Sequence, residues 1–476
     1  MNKDKKIRSI PEYYGDWIAT TSNDWPEAAF QSSIRQFIDV IGVLIAGSKE
    51  SPTLKTLRTL DKWGDGVCTI IGHTKLLSAP LAAMVNGTAA HALDFDDNFD
   101  PAKAHASAVL VPAIIAIAEE GEMSGLDCLD AYICGLQIMG RVGQGLNPTH
   151  RDRGWHATST IGAIGAAAAC ARLLKLSSAQ AAHAMAISTS MAGGFMSQFG
   201  TMMKPIHAGL AAKAGVVSAS MAQNDITGGM ESFDGITGLN RLMVGPDYEI
   251  LRDNLTTIQH GQKLHFDIES IGKPLLILEN GFRVKRFPNC GSAHRAMDAL
   301  SSLLIQHTLT PDDIKNISVS APRTHLNNLM YHSPKDPMEA KFSMQYGLAN
   351  IIISGDCTLA DFENEAINRA EIRNLYGLIE LHSIDGAEML SPTSVAITLA
   401  NGSIIKESIS MPFGSKDKPF TDEQYSVKFH NCVNNILTEN IASITYRNLQ
   451  NIKSIINIRE ITALLQHNAV QRTSKQ

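Results

Sequence analysis

The chain has no CxxC pair. Its 7 cysteines, an odd number, are scattered from Cys68 to Cys432, which argues against a disulfide framework or a zinc knuckle and leaves no compact thiolate set for an iron–sulfur cluster. A reducing, cytoplasmic setting is the expectation. There is also no long Lys or Arg block, and the formal net charge of -6 is spread along the chain, so nucleic acid is not an expected partner. No apolar run approaches the ~20 residues that cross a bilayer: the longest, Ala106 to Ala118, contains Pro112. The lysines near the N-terminus are not followed by the apolar stretch of a secretory signal. A membrane is therefore not an expected partner either.

What is present is an ordinary globular composition, with 44% hydrophobic and 18% charged residues over 476 positions. That length accommodates two cores, or one large helical domain carrying a smaller one. From Pro26 the residues Phe30, Ile34, Phe37, Ile41 and Leu44 recur at helical spacing, and Gly47-Ser48 closes the helix. Further helices are expected at roughly 79–93, 106–119, 125–140, 159–174, 178–191 and 205–222. Several are dominated by Ala, Gly, Ser and Met, the composition of central helices whose axes approach closely. Past about residue 273 the period changes: 316–320 and 393–399 alternate as half-buried strands, and Asn401-Gly402 is a hairpin turn signal. Helical patterning returns from about Thr421. The expected fold is mainly α, a large all-helical domain over 1–272 and 415–476 with a smaller α+β domain inserted at 273–414.

Three segments carry chemistry. Residues 89–100 place Asp94, Asp96, Asp97 and Asp100 at the end of an apolar helix, where the helix dipole disfavours negative charge; the alternative is a solvated acidic turn. His105 follows at the start of the next helix, where its ring can reach back to Asp94. Gly154-Trp155-His156 precedes a small-residue helix with Thr158 or Ser159 as N-cap, so His156 stands beside an anion-attracting helix end. Thr201 to Gly209 repeats the arrangement, with Pro205 in the first turn, Lys204 extended before it, and His207 just beyond.

The segments DFDDNF with His105 eleven positions after Asp94, GWHATST, FGTMMKPIHAG, KRFPNC at 285–290 and EAKFSMQY at 339–346 occur in this order. Together, over about residues 20–435, they resemble the MmgE/PrpD family. The resemblance implies a helical domain capped by an α+β lid, commonly a homodimer, with the active site between the two. The matching positions are Asp94, His105, His156 and Lys204 in the helical domain and Lys285, Cys290 and Tyr346 in the lid, with His207 and His294 as neighbours. Asp94, His105, His156, Lys204 and Tyr346 are the expected catalytic residues; Lys285, Cys290 and His207 are expected to bind substrate.

The implied activity is that of a lyase needing no metal or cofactor, which moves a proton next to a carboxylate of a small di- or tricarboxylate. A 2-methylcitrate dehydratase-like reaction ranks first; cis-aconitate decarboxylases carry His where this chain has Cys290 and have one residue fewer between Asp94 and His105, which argues against decarboxylation. An iminodisuccinate epimerase-like isomerase and a cis-aconitate decarboxylase are the alternatives within the family. Asp96-Asp97-Asn98-Phe99-Asp100 also spells the DDxxD of magnesium-dependent terpene synthases; its partner motif would have to lie at 224–231, which lacks the required hydroxyl and acid. A non-enzymatic helical scaffold is the remaining class.

Overall fold

In the computed structural model, which describes residues 8–254, 264–384, 386 and 391–467, helix accounts for 58% of residues and strand for 9%, so the fold is mainly α. The chain divides into two compact units. The larger comprises Met1–Ala92, Asp96–Phe282 and Asp422–Gln476, the smaller Leu93–Phe95 and Arg283–Thr421.

The larger unit is built on helices Glu27–Gly47, Ala79–Ala92, Ser107–Glu120, Gly125–Leu146, Ala157–Leu173 and Met203–Gln223. Glu27–Gly47 buries its apolar residues on nearly every side, from Phe30 through Ile34, Phe37 and Ile41 to Leu44. Among the described residues it is the one helix long and apolar enough to cross a membrane, and 78% of its apolar window is buried inside the protein; a core helix passes the same test. Ala157–Leu173 is almost entirely buried, which its Ala and Gly residues permit because they let neighbouring backbones come close. A Cβ added at Gly215 would stand 2.3 Å from the Ala166 side chain. A close crossing joins Ala79–Ala92 to Met203–Gln223, where a Cβ on Gly209 would stand 2.1 Å from the Met84 carbonyl and one on Gly87 would stand 2.9 Å from the Gly209 Cα. This backbone-to-backbone approach brings the last turn of the first helix, with His91, to the first turns of the second, with Lys204 and His207.

The division falls at 282/283 and 421/422, later than the 272/273 and 414/415 read from the sequence. At the first boundary the Gln137 and Arg141 side chains donate to the Ile271 carbonyl, and Gln137 accepts from the Leu276 N–H. These bonds tie 271–276 to helix Gly125–Leu146.

The smaller unit holds a four-stranded sheet in the order Ile379–Ile384, Ile314–Pro322, Thr393–Leu399, Ile404–Ile409. The first pair is parallel and the others antiparallel. Helices His294–His307 and Met344–Ser354 contribute Met297, Leu300, Leu303, Leu348 and Ile351 to its core. The turn at Asn401-Gly402 joins two paired strands, with Gly402 at φ 85°. The edge strand Ile379–Ile384 shows little apolar alternation, being largely exposed.

Candidate active site

His91, Asp96 and His105 form the first group, all in the larger unit. Asp96 is fully buried and accepts from His91 Nδ1 at 2.9 Å. His105 Nδ1 lies 3.3 Å from the same carboxylate at ion-pair distance, and the two imidazoles are 4.4 Å apart. The acid at ion-pair distance from the His105 ring is Asp96, two residues beyond the Asp94 named from the sequence. The backbone N–H of His105 donates to Thr158 Oγ1 at 3.1 Å. Burial alone would raise the Asp96 pKa, but His91 and His105 outweigh it and keep the group well below the usual carboxylate range. Burial pushes His91 down to about 4, against the pull of Asp96 and with the help of His105 and Lys204.

The second group is His156, His207 and Lys204. His156 Nδ1 lies 2.9 Å from His207 Nδ1; one ring must donate and the other accept, so at least one of the two is neutral. The His156 ring also stacks 6.1 Å from His91 and packs edge-on to Phe199, over whose face the Lys204 ammonium sits 5.6 Å from the centroid. The chain delivers His156 here by a short ladder in which His156 N–H donates to the Gly194 carbonyl and Met196 N–H to the Gly154 carbonyl.

Two local expectations change. His156 itself is the N-cap of helix Ala157–Leu173, because the hydroxyls of Thr158 and Ser159 are taken up by His105 and by the Gly193 carbonyl. Lys204 is inside helix Met203–Gln223, not extended before it. Pro205 then occupies the third helical position, where a missing N–H costs no intrahelical bond. Lys204 is only 7% exposed.

Burial holds the His156 pKa well below its ordinary value, and His91, Lys204, His207 and His105 add to the effect. Burial, then His91, depresses His207. His150, behind this group, is pushed by burial down to about 3 and bonds Thr160 Oγ1 at 2.9 Å. These four depressed histidines (His91, His150, His156, His207) set the sign of the acid response. Their unfolded pKa of about 6.5 exceeds the folded value, so their stability contribution is complete above about pH 6.5. It is lost as pH falls toward 4, where the unfolded chain binds the extra protons. The melting temperature is expected to fall by roughly 5 °C or more between pH 7.5 and 5; scanning calorimetry across that range checks it, and a flat profile contradicts the neutral-histidine assignment.

The smaller unit places its residues differently from expectation. Lys285, buried, pairs with Asp94 Oδ1 at 3.0 Å and donates to the Asp94 carbonyl, while Lys341 donates to the Leu93 carbonyl at 2.9 Å. These two ammonium groups hold Leu93 and Asp94, where the backbone takes φ 53° at Asp94. Tyr346 is a correction: its ring is wholly buried in the core against Phe362, its hydroxyl donates to the Asp361 carbonyl, and burial raises its pKa to about 12. It is not placed as a proton donor to substrate. Cys290 is half-buried against the same core, and its N–H donates to the Lys341 carbonyl. His294 is buried at the start of helix His294–His307, edge-on to Phe287.

The acidic run is not a solvated turn, since Asp94, Asp96 and Asp97 are all buried. Nor do Asp96, Asp97 and Asp100 converge as in a magnesium-diphosphate site. Asp96 serves two histidines, Asp97 accepts from the Ser107 N–H and hydroxyl, and Asp100 lies 4.0 Å from Lys103. Burial raises Asp97 to about 7, opposed by its Ser107 hydrogen bond. Ligand atoms of His91, Asp96 and His105 lie within 4.8 Å of one another, the set best able to hold a cation. Both Nδ1 atoms, however, already face the Asp96 carboxylate.

The MmgE/PrpD N-terminal domain matches residues 15–251 and the MmgE/PrpD C-terminal domain residues 287–451. The chain belongs to the MmgE/PrpD family. This MmgE/PrpD protein is 28% identical over 413 residues to a human cis-aconitate decarboxylase, covering 83% of this chain and 82% of the relative. It is 25% identical over 485 residues to the cis-aconitate decarboxylase of Mus musculus, covering 98% and 95%. Against the cis-aconitate decarboxylase of Aspergillus terreus it is 27% identical over 398 residues, covering 79% and 78%. It is an enzyme of the lyase type in this family.

The MmgE/PrpD sequence by itself marked no proton-transfer role for His91 or Asp96 and no role for Lys341. The signal for the first two was present: a histidine in the last turn of a helix and an acid five residues on can meet across the helix end, as His91 and Asp96 do. Lys341 lies inside a quoted motif, but only its contact with the Leu93 carbonyl distinguishes it from a solvated lysine.

Proposed function

We propose that this lyase decarboxylates cis-aconitate at the histidine–lysine cluster of the larger unit. The observation that carries the site is the composition of that cluster: five basic side chains, His91, His105, His156, His207 and Lys204, beside the Asp96 carboxylate, which is hydrogen-bonded to His91 and at ion-pair distance from His105. Such a gathering of basic groups suits a polycarboxylate. The choice among the family's reactions is supported by the relatives, which are decarboxylases of cis-aconitate. The 2-methylcitrate dehydratase-like ranking drawn from the sequence has no such support.

Loss of CO2 from a tricarboxylate leaves an electron pair that must be taken up by a proton on carbon, giving an unsaturated five-carbon dicarboxylate. Two functions are needed: cationic groups to balance the remaining carboxylates and a proton donor. Lys204 supplies the first. His105 and His156 supply the second, with Asp96 orienting His105 and His207 orienting His156. Burial and the surrounding basic groups disfavour a charged His156. A bound tricarboxylate reverses the Coulomb part of that penalty, so the proton is retained once substrate is present.

The test is a panel of cis-aconitate, 2-methylcitrate and iminodisuccinate offered to the purified protein in excess EDTA, with CO2 release, dehydration and epimerisation each followed. The fastest turnover is expected on cis-aconitate with CO2 release. Faster dehydration of 2-methylcitrate, or activity that appears only when a divalent metal is restored, overturns the reading.

A further inference from the structure

Residues 97–107 form a closed loop that begins one residue after Asp96 and carries His105 near its end. It is fastened at several points. Phe99 N–H donates to the Ala104 carbonyl at 2.8 Å, and Asn147 Nδ2 donates to the Ala102 carbonyl at 3.0 Å. The turn lies so close to helix Gly125–Leu146 that a Cβ on Gly143 would stand 2.4 Å from the Ala102 Cα. The closing contact is made by Asp97, with no exposed surface: Oδ1 accepts from the Ser107 N–H at 3.2 Å and Oδ2 from the Ser107 hydroxyl at 2.5 Å. Ser107 Oγ is also 2.7 Å from the Tyr132 hydroxyl.

Ser107 is the first residue of helix Ser107–Glu120, whose N-cap, Ala106, has no side chain able to cap. Asp97 therefore does from ten residues away what a capping Asp or Ser does locally, accepting one of the helix's free N–H groups. His105 lies two residues before that clamp, and its ring reaches Asp96, the residue before Asp97. Adjacent carboxylates thus hold the two ends of one arrangement, Asp96 the ring and Asp97 the backbone that carries it.

We propose that Asp97 is a positioning residue for His105, closing the loop through Ser107 so that the imidazole is presented at a fixed angle to Asp96. The consequence for catalysis rests on the reading that His105 moves the proton. Displacing a donor that must be aligned with the reacting carbon lowers kcat, while substrate affinity, set by groups the loop does not carry, stays nearly constant.

The experiment compares Asp97→Ala and Asp97→Asn with the wild type by steady-state kinetics on cis-aconitate and by the imidazole Cε1–H resonance of His105, assigned through its loss in His105→Asn. Asn can accept from the Ser107 N–H and donate to its hydroxyl, so it keeps the clamp without the charge. Asp97→Ala is expected to lower kcat by on the order of ten- to a hundredfold with KM within about twofold, and to displace the His105 resonance. Asp97→Asn is expected to restore most of both. An unmoved His105 resonance in Asp97→Ala overturns the proposal, as does an Asn variant that matches the Ala variant in both readouts. Should Asp97→Ala fail to fold, Ser107→Ala removes the hydroxyl half of the clamp and leaves the carboxylate; it too must displace the resonance, and an unmoved signal overturns the proposal. If the wild type does not decarboxylate cis-aconitate, the proposed reaction fails, and the resonance still decides whether Asp97 positions the ring.

Discussion

Replacing Lys204 by Ala is expected to lower kcat/KM for cis-aconitate by on the order of a hundredfold or more, the usual loss when one preorganised donor to a developing charge is removed. Lys204 is buried in the first turn of helix Met203–Gln223, with its ammonium over the Phe199 ring and close enough to His91 and His156 to depress both. In the proposed reaction an anion arrives beside this cation. Loss of the ammonium leaves that anion undercompensated as the electron pair develops. The same change removes a repulsion on His156, so its pKa is expected to rise in the variant and the alkaline limb of the rate profile, where the protonated donor is lost, to move to higher pH. Stability should shift by only a few degrees in melting temperature, because Ala continues the helix and the charge removed is buried among basic groups. Stopped-assay kinetics across pH, with circular dichroism as the folding control, provide the check. Near-wild-type turnover would mean that Lys204 faces no substrate carboxylate.

The second large effect is expected at Asp96. Asp96→Asn keeps the shape but removes the acceptor shared by His91 and His105, and an amide must turn its NH2 toward one of two Nδ1 atoms. That forces a change of tautomer in at least one ring, the circumstance in which an orienting carboxylate is worth most. A fall in kcat on the order of a thousandfold is expected, within the range of a lost general acid–base function. KM should change far less, because Asp96 is spent on the histidines. A larger fall for Asp94→Asn than for Asp96→Asn would return the orienting role to the acid first chosen from the sequence.

That exchange of roles shows where sequence reading stops. Helical period and small-residue content located the helices around 79–93, 106–119 and 205–222 because burial leaves a direct mark on residue spacing. Segment order likewise pointed to the MmgE/PrpD family, which the domain matches show. His105, His156, Lys204 and His207 were legible as chemistry because each stands near a helix start. The direction of a side chain was not. Asp94 and Asp96 are two residues apart in one acidic run, and spacing alone does not tell that Asp96 is at ion-pair distance from both rings. Tyr346 misled for the opposite reason: a tyrosine in a family-like motif looks the same whether its hydroxyl meets substrate or, as here, the Asp361 carbonyl. The edge strand Ile379–Ile384 escaped because exposed side chains carry no alternating apolar signal.

The central claim is that this chain removes CO2 from cis-aconitate and returns a proton to carbon. It is tested most directly by following 13C-labelled cis-aconitate with the wild-type protein in deuterated water by NMR. CO2 and an unsaturated five-carbon dicarboxylate are expected in equal amounts, with one solvent deuterium on a carbon of each product molecule. A six-carbon product formed without loss of CO2, or unchanged cis-aconitate after prolonged incubation with folded protein, would contradict it.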